Sequence, residues 1–429
     1  MLDQSSKRLV IAATTIGNMI EWYEFGLYMF LAPVISRYFF PESLSLLNAT
    51  TYSLLIFAIG FISRPFGGLF FGYIGDRYGR RISLIASIMM MTVPTFCMGL
   101  LPTYQQIGIF APLLLCVMRL LQSFPVGGEF PGSICYLTEN AAIKERGFMG
   151  SFASFGAQIG ILLNLVECIL MENFLTHDQL LSWGWRLAFF IGGFLGLTGF
   201  FLRYKLKETP LFLSVEKQEL VVKAPIREVL KHYKKQIGCI FLLGGMPIGG
   251  FYLLFVLMTF YLEEFQGVTA KAGLVINLIW IAISTATVPF LGKIADHLSI
   301  KRILIVTSCL TLFLAFPFIY LIGQKFYVSA AIVALILTTC FSFHFSMVSQ
   351  TMAMLFPTPI RFTGLAFSYN VSNICIAGSL PYLAIYLISK TGNLYVPSYM
   401  FAILALLTLV GTLILKEGNG ELILESKGK

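Results

Sequence analysis

Charge is scarce in this chain. Asp, Glu, Lys and Arg make up 12% of its 429 residues, against 57% hydrophobic; soluble domains carry about 25% charged residues. A soluble protein of this length could not hide so much apolar surface, so that class is excluded. The marks of common chemistry are missing as well. There is no C-x-x-C, no H-E-x-x-H, no G-x-S-x-G, no P-loop and no Cys/His metal cluster. No membrane-enzyme site, metal or cofactor is therefore expected. The eight cysteines (Cys97, Cys116, Cys135, Cys168, Cys239, Cys309, Cys340 and Cys375) all fall within apolar runs. They read as small buried apolar residues, not as a disulfide framework. "MLDQSSKR" resembles a signal-peptide n-region. The apolar segment after it is too long for an h-region, holds two glutamates and lacks an A-x-A site, so it is expected to be retained. A sensor of the same fold would add a long soluble domain; none is read in these residues, so a non-transporting sensor is not expected.

What remains is a set of long apolar runs. They fall near 10–35, 51–74, 82–101, 108–138, 148–171, 185–204, 237–262, 271–291, 303–322, 328–352, 363–389 and 396–415. About 20 such residues cross a bilayer as helix, whereas a membrane barrel would show weak alternation over about ten. The reading is an all-α membrane protein with twelve transmembrane helices. With the N-terminus inside, 23 basic residues fall in inner loops, four in outer loops, and Arg64, Arg119 and Arg186 within helices. That bias puts both termini in the cytoplasm and accounts for the net charge of +9 without nucleic acid. The longest polar stretch, 203–236, carries nine Lys/Arg. It divides the chain into six-helix bundles at 1–204 and 237–416, a cytoplasmic linker at 205–236 and a short tail at 417–429.

A faint repeat supports this division. "GYIGDRYGRR" (72–81) packs one acid, three arginines and three glycines between apolar runs, and "GKIADHLSIKR" (292–302) is a worn copy. Asp76 and Asp296 stand 220 positions apart. "KERG" before the fifth span has a looser counterpart in "IRFTG" before the eleventh. Parallel six-helix repeats, with a site at their interface near mid-membrane, describe one large transporter architecture. In the first copy, Gly72, Gly75 and Gly79 let two helices turn sharply. Asp76 is placed to meet a helix N-terminus, and the eleventh span begins on this face near Arg361. Arg77, Arg80 and Arg81 can reach Glu139 at the end of the fourth span. Glu139 and Arg146 flank the next turn. The group is expected to act as a cytoplasmic latch between the halves, where lipid anchoring alone would need only the arginines.

At this point the chain resembles a known group. G-x-x-x-D-R-x-G-R-R-x-x-L, Gly72 to Leu84, is similar to the loop signature of the major facilitator superfamily. More narrowly, the sequence resembles the metabolite:proton symporter family of citrate, α-ketoglutarate, shikimate and proline/betaine permeases. The matching stretches are "IGNMIEWYEFGLY", "SRPFGGLFFGYIGDRYGRR", "VGGEF" with "TENAAIKERGFMGS", "WGWRLAFFIGGFLG", "LKETPLF" and "LFPTPIRFTG". There are departures. Glu24 stands where the family commonly has Asp, and Met354 where an acid often precedes "LFPT". The second loop has Ser299 for glycine and Ile300 for a basic residue, which weakens a symmetric second latch. The resemblance implies two pseudo-symmetric bundles and import of a small polar metabolite by proton symport, with a proton as coupling ion. It also implies a monomer in the bilayer of a bacterial inner membrane. Antiport export is the alternative, but the glycine-proline signature of antiporters is missing from the fifth span, which has no proline.

An ionised residue at a helix centre costs about 2.5–3.5 kcal/mol on insertion scales, so each one needs a reason. Glu21 and Glu24 lie one turn apart on the first span, Glu24 near mid-depth. Arg119 lies near mid-depth on the fourth span, with Gln122, Ser123, Val126 and Glu129 on its face. In proton-coupled sugar members of the superfamily, an acid at the Glu24 position pairs with an arginine at the Arg119 position. Burial disfavours a carboxylate and a guanidinium favours it, so such an acid can exchange its proton while Arg119 stays charged. Freed by that proton, Arg119 can hold an anionic substrate group. Glu129 is either a second proton site or a partner of Arg64. Glu21 either lines the cavity or meets Arg64. Gln158, Asn164, His344, Asn370 and Asn373 are candidate solute ligands, against the bland reading of interhelical hydrogen bonds. "GGMPIGGF" (244–251) is an expected flexing point, and no aromatic box is assigned. The short tail, "KEGNGELILESKGK", and the basic residues tilt the expected cargo toward an organic acid, or an osmolyte carried without osmotic control.

Overall fold

The computed structural model describes residues 4–377, 380–418 and 421–423. Its long helices are α1 (Gln4–Phe39), α2 (Leu46–Tyr78), α3 (Arg80–Leu100), α4 (Phe110–Asn140), α5 (Arg146–Phe174) and α6 (Leu180–Tyr204). After two short linker helices, Pro210–Lys217 and Pro225–His232, the chain resumes. There α7 combines Lys234–Leu243, π-wound Gly245–Gly250 and Tyr252–Leu257, and Met258–Gln266. Then come α8 (Ala270–Ala295), α9 (Ile300–Gly323), α10 (Tyr327–Met354), α11 (Arg361–Ser372) and α12 (Val396–Ile414). The eleventh span continues beyond α11 as π-wound Asn373–Ala377 and as Leu380–Thr391. Eleven described segments are long and apolar enough to cross a membrane, and α1 is the twelfth helix. Among the described residues, this membrane protein is all-helical but for one hairpin, Lys416–Gly418 against Glu421–Ile423. The rest of the expected tail over 417–429 lies outside the described residues.

The residues up to 140 together with 156–225 pack as one compact unit, and 141–155 with the chain from 226 onward as another. In the first unit, Tyr23, Leu27, Leu31 and Ile35 recur along one face of α1, at the i, i+4 and i+8 spacing of a helix stripe. They pack with Leu115, Trp185 and Phe189 in one buried cluster. Close approach of α2 and α4 depends on Gly127, where a Cβ would overlap the Arg64 carbonyl oxygen. In the second unit, α8 and α9 meet at a short turn. Ser299, the residue in place of glycine, accepts the Arg302 N–H at 3.2 Å and so caps α9. The π-wound stretch 245–250 coincides with "GMPIGG", where Pro247 withholds a backbone donor.

Candidate functional site

Within the first unit, α1, α3 and α4 bring four buried polar side chains into one line. Thr95 Oγ1 donates to Glu24 Oε2 at 2.5 Å, Gln122 Nε2 donates to Thr95 Oγ1 at 2.7 Å, and Arg119 Nη1 donates to Gln122 Oε1. All four residues are buried. Glu24 and Arg119 were expected to pair. The described residues contain no direct ion pair between them; Thr95 and Gln122 stand between. Thr95 was missed because a membrane threonine reads as a helix filler that bonds its own backbone, which it also does, to the Met91 carbonyl at 3.0 Å.

That double reach matters. Thr95 has one proton and two acceptors in range. With Glu24 ionised, the proton points at the carboxylate. With Glu24 protonated, the new O–H donates to Thr95 Oγ1, whose second lone pair keeps Gln122, and the threonine proton turns to Met91. The bonds through Thr95 can be kept in both protonation states, while the other carboxylate oxygen, Glu24 Oε1, has no hydrogen-bond partner among the described residues.

The partner of Glu129 corrects the sequence reading. It is Arg203, the first residue of the basic stretch 203–236. Arg203 is fully buried on α6. Its Nη2 meets Glu129 Oε1, and its Nη1 donates to Glu129 Oε2 at 2.6 Å and to the Leu84 carbonyl at 2.9 Å. Ser87 adds a fourth bond, to Glu129 Oε2 at 2.6 Å. The guanidinium lies against Gly17 of α1, where a Cβ would overlap it. An unpaired buried acid beside two glycines was the only sequence signal that such a partner had to exist.

Arg64 lies against aromatic rings: its guanidinium carbon is 4.2 Å from the Phe61 centroid and 4.7 Å from that of Phe25. Glu21 is buried, and its Oε2 has no hydrogen-bond partner among the described residues. Gln158 and Asn164 are buried on α5. Neither amide atom of Asn164 has a partner there. On the same helix Glu167, unassigned from sequence, accepts from Tyr23 Oη at 2.6 Å.

In the second unit, His344 is buried against α9, its Nε2 3.0 Å from Thr307 Oγ1 and 3.4 Å from Ser308 Oγ. Asn370 and Asn373 turn back on their own helix, donating to the Ala366 carbonyl at 2.6 Å and the Tyr369 carbonyl at 3.1 Å. Both amide side chains thus spend a donor locally.

The loop of residues 72–81 is tighter than expected. Gly72, Gly75 and Asp76 are helical, and the whole turn is Gly79, with φ +108°. Only glycine adopts that backbone readily, and a Cβ there would meet Glu208 Oε2. Asp76 and Arg80 form a buried pair at 3.3 Å. Arg80 also grips Glu139 through Nε at 2.9 Å and Nη2 at 3.0 Å. Arg77 and Arg81, expected to reach acids, instead donate to the Lys223 and Tyr204 carbonyls at 3.0 and 2.7 Å. Glu208, within "LKETPLF", was missed: its carboxylate accepts the Arg80 and Arg81 backbone N–H groups, each at 3.0 Å, and so caps α3. Burial pushes the Glu208 carboxyl above its ordinary value, and the amide bonds offset part of the shift.

The second loop keeps its acid at work. Asp296 accepts the Gly147 and Phe148 N–H groups at 2.6 and 2.9 Å, capping α5 inside the second unit. Losing Gly and one basic residue did not cost that loop its helix-terminus contact, because the carboxylate alone makes it. Arg146 Nη1 lies 3.3 Å from Met354 Sδ, the position where the resembled family often has an acid. Arg361 donates to the Phe356 carbonyl at 3.2 Å.

Comparison with known proteins agrees with this architecture. Residues 9–238 match the family described as "Sugar (and other) transporter". The glycine betaine/proline/ectoine/pipecolic acid transporter OusA of Dickeya dadantii is 35% identical over 97% of this chain and 85% of the relative. The inner membrane metabolite transport protein YhjE of Escherichia coli is 35% identical over 96% of this chain and 95% of its own length. Among solved structures, the proton:xylose symporter XylE bound to 6-bromo-6-deoxy-D-glucose superposes with a TM-score of 0.72 at 18% identity, covering 96% of both chains. The chain belongs to the sugar (and other) transporter family of the major facilitator superfamily, as a multi-pass membrane transporter of small solutes and not an enzyme.

Proposed function

We propose that this transporter imports a small zwitterion of the proline/betaine type by proton symport and alternating access, with Glu24 as the proton-carrying acid. The observation that supports the reading is the Glu24–Thr95–Gln122–Arg119 chain, because its bonds through Thr95 can be kept whether Glu24 is charged or neutral. A group that must gain and lose a proton in a buried site needs that property. The zwitterionic cargo rests on the relatives' names, and the organic acids of the wider family stay in the test. Arg119 and Arg64 would take the substrate carboxylate. Gln122, Gln158, Asn164 and Glu21 would orient the solute, as would His344, Asn370 and Asn373. Glu129 has a structural partner and is assigned to packing. The cluster of Asp76, Arg80, Glu139 and Glu208, with Gly72, Arg77, Gly79, Arg81, Arg146 and Arg361 nearby in sequence or role, would lock the cytoplasmic ends of the helices. Both termini would face the cytoplasm, and the working form would be a monomer.

The test is uptake into proteoliposomes of labelled citrate, α-ketoglutarate, shikimate, proline and glycine betaine, each with and without an inward proton gradient. Accumulation of proline or betaine that collapses with a protonophore is expected. Equal uptake with and without the gradient would refute proton symport, and uptake of the organic acids alone would refute the zwitterionic cargo.

A further inference from the structure

Five cation–ring contacts converge on one place in the first unit. The Arg119 guanidinium carbon lies 4.7 Å from the Phe57 centroid, 5.0 Å from Tyr28 and 5.4 Å from Phe25. Arg64 lies against Phe61 and the same Phe25. The phenyl rings touch one another: Phe25–Phe57 at 4.9 Å, Phe57–Phe61 at 5.6 Å and Phe25–Phe61 at 5.7 Å. Helical spacing explains the wall. Phe25 and Tyr28 are three apart on α1, and Phe57, Phe61 and Arg64 are four and three apart on α2, so each set shares a face. The Tyr28 hydroxyl is committed to Ser53, donating to its carbonyl at 3.2 Å and accepting from its Oγ at 3.3 Å.

We propose that this aromatic wall is a recognition site for the N-methylated ammonium group of a zwitterionic solute, with the tethered guanidiniums as its resting occupants. Ring faces attract a cation through the aromatic quadrupole, most strongly when it is desolvated. A methylated ammonium has few or no N–H groups to donate, so it gains more from ring faces than from hydrogen-bond acceptors. The phenyl rings of this wall offer faces and no acceptor. Two guanidiniums share the Phe25 ring. A solute carrying a carboxylate one carbon from its ammonium fits such a place: the carboxylate takes a guanidinium, and the ammonium takes the ring face beside it. The exchange leaves net charge unchanged and keeps every ring face occupied by a cation. Bare protection of two arginines would need no such surplus of rings around a single guanidinium.

This assignment rests on the zwitterion reading above, and the test separates the two. Wild-type protein is assayed for competition against labelled glycine betaine by glycine, sarcosine, dimethylglycine and 3,3-dimethylbutyrate, the last keeping the carboxylate but carrying an uncharged tert-butyl group, the neutral isostere of trimethylammonium. Affinity is expected to rise with each methyl group, with the neutral isostere about 30-fold weaker than betaine, the size of a strong buried cation–ring contact. Phe57→Leu should shrink that gap to about threefold, and Phe57→Tyr should keep it. If 3,3-dimethylbutyrate competes as well as betaine, or Phe57→Leu folds and leaves the gap intact, the cage assignment falls while the zwitterion reading stands. If wild-type protein neither binds nor accumulates any of these solutes, the zwitterion reading falls and takes the cage with it. The wild-type ligand series decides the matter even where a variant does not fold.

Discussion

The buried Glu129–Arg203 pair makes the sharpest structural prediction. Both side chains are buried, and between them they make two guanidinium–carboxylate contacts, a bond to Ser87 and a bond to the Leu84 carbonyl. Removing one charge leaves the other buried without compensation, a loss of about 3–5 kcal/mol, whereas replacing both with apolar residues of similar volume is near neutral or stabilising. Arg203→Met and Glu129→Leu should therefore each destabilise strongly, and the double variant should recover most of the loss. The assay is a double-mutant cycle read by unfolding in mixed detergent micelles, with thiol labelling of buried Cys135, on the same helix as Glu129, as the signal. The expected coupling between the two sites is at least about 2 kcal/mol, well above the 0.3–0.5 kcal/mol scatter of independent sites. Single losses below about 1 kcal/mol, or losses that simply add in the double variant, would refute the pairing. The same double variant answers a functional question. Assigned to packing, the pair predicts that proton-driven uptake survives when both charges are gone; loss of coupling in a folded double variant would put Glu129 back in the proton path.

Other expectations follow from single contacts. Met354→Glu should stabilise the protein through a new pair with Arg146, by up to about 1 kcal/mol, and the gain should vanish in 0.5 M salt; an unchanged melting curve at low salt would contradict the contact. Gly79→Ala should lower stability by more than the about 1 kcal/mol typical of a left-handed backbone position, because the methyl group also collides with Glu208; a neutral effect would mean the turn is not held at this φ. The folded Glu208 carboxyl titrates above the unfolded one, so the fold binds the proton more tightly and is favoured at low pH, and that contribution is lost as pH rises through the raised value. Glu208→Gln should thus gain on wild type as pH climbs from 4 to 7 in a melting series, whereas a widening deficit would show that the α3 cap outweighs burial.

Much of this architecture is legible in the residues. The helices announce themselves because about 20 apolar residues have no other stable use, and Gly79 announces a turn because few other residues tolerate its backbone. The charged contacts are harder. Arg203 ends an apolar run and opens a basic one, so its sequence neighbourhood points to the linker, while its real partner lies 74 positions away on α4. Thr95 and Glu208 look like a filler and a linker acid until three-dimensional packing puts a carboxylate or a helix end beside them. The ring wall at Phe25, Tyr28, Phe57 and Phe61 is hidden by the abundance of phenylalanine, 40 in the chain. Its signal was the placement of rings one turn from a membrane arginine. Asp296 keeps a structural contact among worn neighbours, because its carboxylate alone finds an amide pair.

The central claim is that Glu24 carries the coupling proton. Glu24→Gln, reconstituted in proteoliposomes, fixes the neutral state while keeping a group that can bond Thr95. The account predicts that the variant exchanges labelled for unlabelled solute across the membrane at a rate near wild type, but no longer concentrates solute under an inward proton gradient. Uphill accumulation by Glu24→Gln at wild-type levels would contradict it.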